Sequence, residues 1–554
     1  MKADLTRDTF HPLKHFARVL TQQGRVQLDA DMNEQAAILL RYLQTLAADL
    51  IGPAGGPANN LGFAIAPLQG ALNPPDFQIG FGNYYVNGVL CQADFVPIAI
   101  TANSGGVFEV INWSPDFDMK SIPYYEVFDA TPGSTAMPVP VQISNPQAAQ
   151  NQIKIQPLPA GAAFPNFANP KLRRLITYLH QPDLVFSTTA NPASPLPLPA
   201  NGDIQVYLDV WERAITYAED DSIREVALGG PDTAARSKVV WQVKWQPATT
   251  NDDGTSLCSA PMPLSPRGWL QAKAKQNSVS TDPCIINPNA AYTGPENQLY
   301  RVEINRAGTA GTTPGNSATF KWSRENGAVI FPIVSGGGTA TVVLESLGRD
   351  DRFGLEVGSL VEVQDDRSVL SNLSGRLLPV QSINSTTMTV ALNGTPDSLL
   401  GSDETLHPLL RRWDQTSGDP AEEGLTLDTA NDNCAFVQEG IWLMLEDGVQ
   451  IRFQPASPVQ PATEAETQVV NQYLTGDYWL IPARTATADV EWPTETDGQG
   501  NSTPLALPPH GITHYYAPLA IVSIASNTIA ASEISDCRNS FSPYAVPVPN
   551  ANKS

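Results

Sequence analysis

A chain of 554 residues is long enough for three or four domains, and a hydrophobic content of 42% excludes a disordered tail or a small stapled scaffold. Lys and Arg number 33 against 56 Asp and Glu, and the net charge of −23 repels phosphates, which argues against a nucleic-acid partner. Only 16% of residues are charged while Gly and Pro number 40 and 48, a polar and weakly charged surface that suits assembly and equally suits an ordinary acidic protein.

The first 52 residues read as helical. From Asn33 onward Ala36, Leu39, Leu40, Leu43, Leu46, Ala47 and Leu50 keep the 3.6 period of one helix face. Asp31 and Glu34 have the spacing of a capping pair, and Gly52-Pro53 ends the helix. Phe16, Val19 and Leu20 mark a shorter helical pattern before it, interrupted at Gly24-Arg25, so an N-terminal helical hairpin is expected. Its apolar stripe must be buried on the chain's own body or on a partner.

After the loop at 52–60 the punctuation becomes that of a β protein. Tyr84, Tyr85 and Val86 precede Asn87-Gly88, and Val89, Leu90 and Cys91 follow it, which predicts a hairpin closed by a type I′ turn. Residues 131–202 are rich in Pro, Ala and Asn, with Pro192, Pro195, Pro197 and Pro199 at the end, and read as an irregular arm or linker. Val206, Leu208 and Val210 alternate, as do Val239, Trp241, Val243 and Trp245, predicting two paired strands. Short β runs at 355–364, 376–383 and 387–392 suggest a small five-stranded barrel over 338–396. Asp447-Gly448 is a second type I′ signal, and Tyr478 to Ile481 reads as continuing that sheet. The expected fold is mainly β and multi-domain, the helical hairpin being followed by small antiparallel β-sandwich or β-barrel domains over 61–130, 203–337, 338–396 and 397–545, with a tail at 546–554.

Chemistry is sparse. His510 and His514 are four apart, but Pro508, Pro509 and Gly511 argue against a helix that would bring them together, and structural polar contacts are expected instead. Asp428 and Asp432 only loosely suggest calcium ligands. No nucleophile elbow, phosphate loop or dinucleotide motif occurs, so no catalytic residue, metal or cofactor is expected. Cys91, Cys258, Cys284, Cys434 and Cys537 contain no CxxC pair and suggest reduced thiols in the cytoplasm, although Cys258 and Cys284 bracket one irregular stretch and could meet. No apolar run is long enough to cross a bilayer and the N-terminal residues carry Lys2, Asp4, Arg7 and Asp8, so neither an anchor nor a signal peptide is expected and membrane contact would be indirect.

Several strings carry a family likeness: TRDTFHPLKHFARVLTQQGRVQLDADMNEQ at 6–35, VYLDVWERAITY at 206–217, IREVALGGPDT at 223–233, ENQLYRVEI at 296–304, ATFKWSRENG at 318–327 and GDYWLIPARTAT at 476–487. Together they resemble an uncharacterised bacterial family whose genes often lie in clusters for phage-tail-like contractile injection systems, with Met32 standing where tryptophan is expected. The resemblance implies a non-enzymatic structural subunit, at or around the baseplate, with other injection-system subunits and further copies of itself as partners. The candidate assembly surface comprises Phe10, Phe16, Leu39, Leu43, Leu46, Leu50, Tyr84, Tyr85, Trp211 and Trp413. Flanking charges also make Trp211 and Trp413 candidates for a sugar-stacking platform, so a carbohydrate-binding or glycan-cleaving component of such a particle is the alternative. An injected effector is a third reading.

Overall fold

The computed structural model describes the chain outside residues 69–74, 95–96, 103–106, 111–123, 132–133, 135, 137, 148–151, 158–166, 186–194, 250–257, 259–266, 276–291, 351, 398, 457–469, 497–501 and 543–554. The protein is mainly β, built from small, largely antiparallel sheets, with two α-helices among the described residues. It divides into two units, each assembled from three separate chain segments. One comprises Met1–Arg41, Glu212–Lys238 and Pro263–Thr513, and the other Tyr42–Trp211, Val239–Met262 and His514–Ser554. The two units interleave along the chain. Long-range pairing is the cause: Gly202–Ile215 runs antiparallel to Tyr515–Ile524, so one ladder closes a loop of about 300 residues.

In the unit that contains residues 42–211, Asn87 and Gly88 take φ of 49° and 80° and close the expected hairpin between Gly82–Val86 and Val89–Ala93. Arg236–Pro247 and Gly202–Ile215 are neighbours in one sheet, as their alternation predicted. Phe63, Phe77, Tyr84, Val206, Leu208, Trp241 and Leu519 share its main core. Much of the supposed irregular arm is β structure: Val139–Gln147, Gln152–Pro157 and Pro170–Arg174 join Ile98–Ala102, Val107–Val110 and Tyr124–Asp129 in a closed six-stranded barrel. Val139, Val141 and Ile143 do alternate toward its core, but interspersed prolines hide the pattern. The proline-rich end is seated as well, with Leu198 buried and the Leu196 carbonyl accepting from Trp245 Nε1 at 3.2 Å. Pro192 and Cys284 lie outside the described residues. Cys258 is joined to Cys537 rather than reduced, a pairing 279 residues apart that no local spacing announces.

In the other unit, Gln298–Arg306 is the centre of a five-stranded sheet, flanked by Thr319–Ser323 and Tyr478–Arg484. Tyr478–Arg484 thus belongs to this sheet and not to that of the Asp447-Gly448 hairpin, whose strand Val449–Gln454 pairs with Trp269–Ala274. The expected small barrel exists but is larger: six strands between Ile330 and Trp413 close because Leu409–Trp413 pairs with both Ile330–Ser335 and Leu360–Gln364.

Of the N-terminal hairpin only the second limb is an α-helix, α1, Asp29–Ile51. It starts two residues before Asp31, which lies in its first turn. The first limb holds only a 3-10 turn at Pro12–Lys14, ended by His15 in the left-handed region. A short amphipathic segment with nothing to bury its apolar side on does not hold a helix by propensity alone.

Candidate functional site

Helix α1 seats its small face and exposes its large one. Ala30 and Ile38 are 1% and 2% exposed, and Ala37, Ala48 and Ile51, which share that side, are partly covered. Leu39, Leu43, Leu46 and Leu50 lie about half a turn away and are 54%, 65%, 57% and 77% exposed. Small side chains allow close approach, and the approach is observed at the hairpin tip: a Cβ on Gly88 would lie 2.0 Å from the Gln44 carbonyl oxygen. Asn87 N–H also donates to Pro53 O at 2.7 Å, so the hairpin positions the end of the helix. At its start, Asp29 accepts from Thr6 N–H (2.8 Å) and Thr6 Oγ1 (2.6 Å), and Glu34 accepts from Thr9 Oγ1 (2.7 Å).

The segment before α1 is anchored in a charged socket. Lys2 donates to Glu303 (2.8 Å) and lies 5.6 Å from the Trp413 ring centroid. Glu303 also accepts from Arg301 (2.6 Å), while Glu362 accepts from Lys321 (2.6 Å), Trp413 Nε1 (2.9 Å) and Gly375 N–H (2.8 Å). Asn326 Nδ2 holds the carbonyls of Met1 and Ala3, each at 2.9 Å, and the Met1 amine donates to the Tyr478 hydroxyl at 2.8 Å. Burial works to raise the Glu303 carboxyl, but Lys2, Arg301 and Lys321 together hold it well below the carboxylate range. Burial holds the Lys2 ammonium down to about 8, because Glu303 is shared among several cations and repays only part of the desolvation.

The ten residues expected to form an assembly surface divide. Leu39, Leu43, Leu46 and Leu50 are presented together; Phe16 is 54% exposed, and Phe10 is partly covered. Tyr84, Trp211 and Trp413 are buried inside the chain and offer no surface, a correction to the expected set. Tyr84 is the inward position of its strand, Trp211 stacks on His514 at 5.0 Å, and Trp413 closes the socket. Tyr85 alternates to the other side and is partly exposed, 6.4 Å from the Phe541 ring. The charges beside the two tryptophans are largely drawn into partners within the chain, Arg412 on Asp414, Arg213 on Glu219 and Glu212 on the Ser237 hydroxyl, and do not mark a rim.

His510 and His514 use their Nδ1 atoms on different partners, Leu480 N–H (3.1 Å) and Asp209 (2.7 Å). Asp428 accepts from Arg306, Gly315 N–H and Asn431, so its oxygens are already occupied by donors. Among the described residues no group of three or more His, Cys, Asp or Glu is placed to hold a metal ion, and no helix is long and apolar enough to cross a membrane. Sequence reasoning missed the socket. Its one local signal was Arg301 and Glu303 in the otherwise apolar run LYRVEI at 299–304, which proves buried on both faces.

No curated protein and no solved structure matches the chain, while a model of a family of unknown function, DUF6519, matches residues 1–104, 197–257 and 265–539. The first gap takes in most of the barrel between Ile98 and Arg174, so that barrel lies largely outside what the matched family shares. With residues 1–28, α1 and the socket inside the matched residues, which make up most of the chain, the chain belongs to this family of unknown function, DUF6519.

Proposed function

We propose that this chain is a structural subunit of a phage-tail-like contractile injection particle, at or around its baseplate, and that it joins neighbouring subunits through the leucine face of α1. The observation that carries the reading is that face: four leucines in register on a helix whose opposite side is already seated. A contiguous apolar stripe left open on a soluble chain is a docking surface before it is anything else. The resemblance of six long strings to a family encoded beside such systems supplies the kind of particle. Covalent pairing of Cys258 with Cys537 suits a subunit made in the cytoplasm and functioning in a released particle, where the surroundings are oxidising. The glycan-binding alternative loses support, because Trp211 and Trp413 are 6% and 1% exposed and have no free ring face for a sugar.

The test is Leu43→Glu with Leu46→Glu in the full chain, followed by particle purification and imaging. Both positions are exposed, so the isolated variant should melt within about 2 °C of the parent, as surface substitutions change stability by only about 0.5 kcal/mol. Loss of the subunit from particles with an unchanged melt is the expected outcome. Normal incorporation of the variant removes α1 from the interface and the reading with it.

A further inference from the structure

We propose that residues 1–9 are an exchangeable arm, with Lys2 of one copy entering the socket formed by Glu303 and Trp413 of a second copy of this chain. Nothing in the arm's attachment requires that it come from the same copy. Its contacts are single hydrogen bonds and ion pairs: Lys2 on Glu303, the Met1 amine on the Tyr478 hydroxyl, Asn326 on the carbonyls of Met1 and Ala3, Arg349 on Asp4, Thr6 on Asp29, Thr9 on Glu34, Arg484 on the Thr6 carbonyl at 3.0 Å, and Arg7 on Glu491 at 2.7 Å, with no strand ladder. A second copy's arm would make the same contacts, which is the condition for exchange at little cost.

The socket's two carboxylates are also self-sufficient, the loss falling on Asn326 Nδ2, which gives up the carbonyls of Met1 and Ala3. Without Lys2, Glu303 keeps Arg301 at 2.6 Å and Lys321 at 3.8 Å, and Glu362 keeps Lys321, Trp413 and Gly375. Departure of the arm therefore strands no buried carboxylate, the loss that makes breaking most buried ion pairs costly. Lys2 in fact adds a fourth cation to Arg301, Lys321 and Arg411 around two carboxylates, and its ammonium is held down first by burial and then by these neighbouring cations. It is a latch that holds weakly enough to be released.

The segment between arm and helix points the same way. Over residues 10–28 the hydrogen bonds are local apart from Val19 N–H to Gln35, and Leu13, Phe16, Leu20 and Val26 are 76%, 54%, 67% and 84% exposed. An uncovered apolar tether of this length could reach roughly 60 Å when extended, and a neighbouring copy is what would cover it. The proposal does not depend on the particle reading, since it concerns copies of this chain alone.

The test places Arg7→Cys and Glu491→Cys in the full chain with Cys284→Ser and adds a short bis-maleimide. Arg7 and Glu491 are both partly exposed, and Cys91 and Cys434 are buried. Denaturing gels should show covalent dimers and longer ladders whose share rises with protein concentration, and adding Lys2→Glu should abolish them. Bridging confined to single chains at every concentration, no bridging at all, or a ladder that persists with Lys2→Glu each overturns the proposal. So does a concentration-independent monomer mass for the unsubstituted chain.

Discussion

Asp76 shows what a single buried carboxyl does to the stability of its unit. It is 6% exposed, its Oδ1 accepts from Phe77 N–H (2.9 Å) and Leu179 N–H (3.2 Å), and burial pushes its carboxyl up to about 6. The folded chain therefore keeps a proton that the unfolded chain has already lost between about pH 4 and 6. Stability from this group is present at low pH and is lost as pH rises through that window. Asp76→Asn carries no such proton, so its stability relative to the parent should improve by about 2–3 kcal/mol between pH 4 and pH 7, a shift of about two pKa units at 1.4 kcal/mol each. Chemical denaturation of both proteins at the two pH values checks this, and a constant difference refutes it.

At the scale of elements, the hairpin and α1 depend on one glycine. Gly88 has φ of 80° and faces the Gln44 carbonyl so closely that any Cβ would overlap backbone. Gly88→Ala therefore meets both left-handed strain and a clash that no rotamer relieves, and is expected to cost about 2–4 kcal/mol. Asn87→Gly, at the preceding turn position, meets neither and should change stability by less than about 1 kcal/mol. Equilibrium unfolding of the two variants side by side separates the reading from a generic turn effect.

Across the whole molecule, each unit gathers chain from three places, so the ties that matter are long. Cys258 and Cys537 close one such loop. A disulfide that constrains the unfolded chain typically contributes about 2–4 kcal/mol. Cys258→Ser with Cys537→Ser, or reduction of the parent, should lower stability by that amount, while reductant should leave the double variant unchanged. Denaturant midpoints with and without reductant measure it. A parent indifferent to reductant would show that the bridge does not constrain the unfolded chain.

What the sequence by itself determined is whatever a few adjacent residues decide. Asn87-Gly88 and Asp447-Gly448 demand positive φ, so both hairpins were readable, and alternation marked Gly202–Ile215 and Arg236–Pro247 as strands. The 3.6 period marked α1, but periodicity shows only that a helix has two faces, and which one is seated depended on a hairpin tip more than forty residues further on. The barrel that Leu409–Trp413 closes, the partner of Cys258, the burial of Trp413 and the socket that receives Lys2 were decided by tertiary structure alone. Each joins groups tens to hundreds of residues apart, and such pairings are chosen by the free energy of the assembled core, to which no local window of sequence has access.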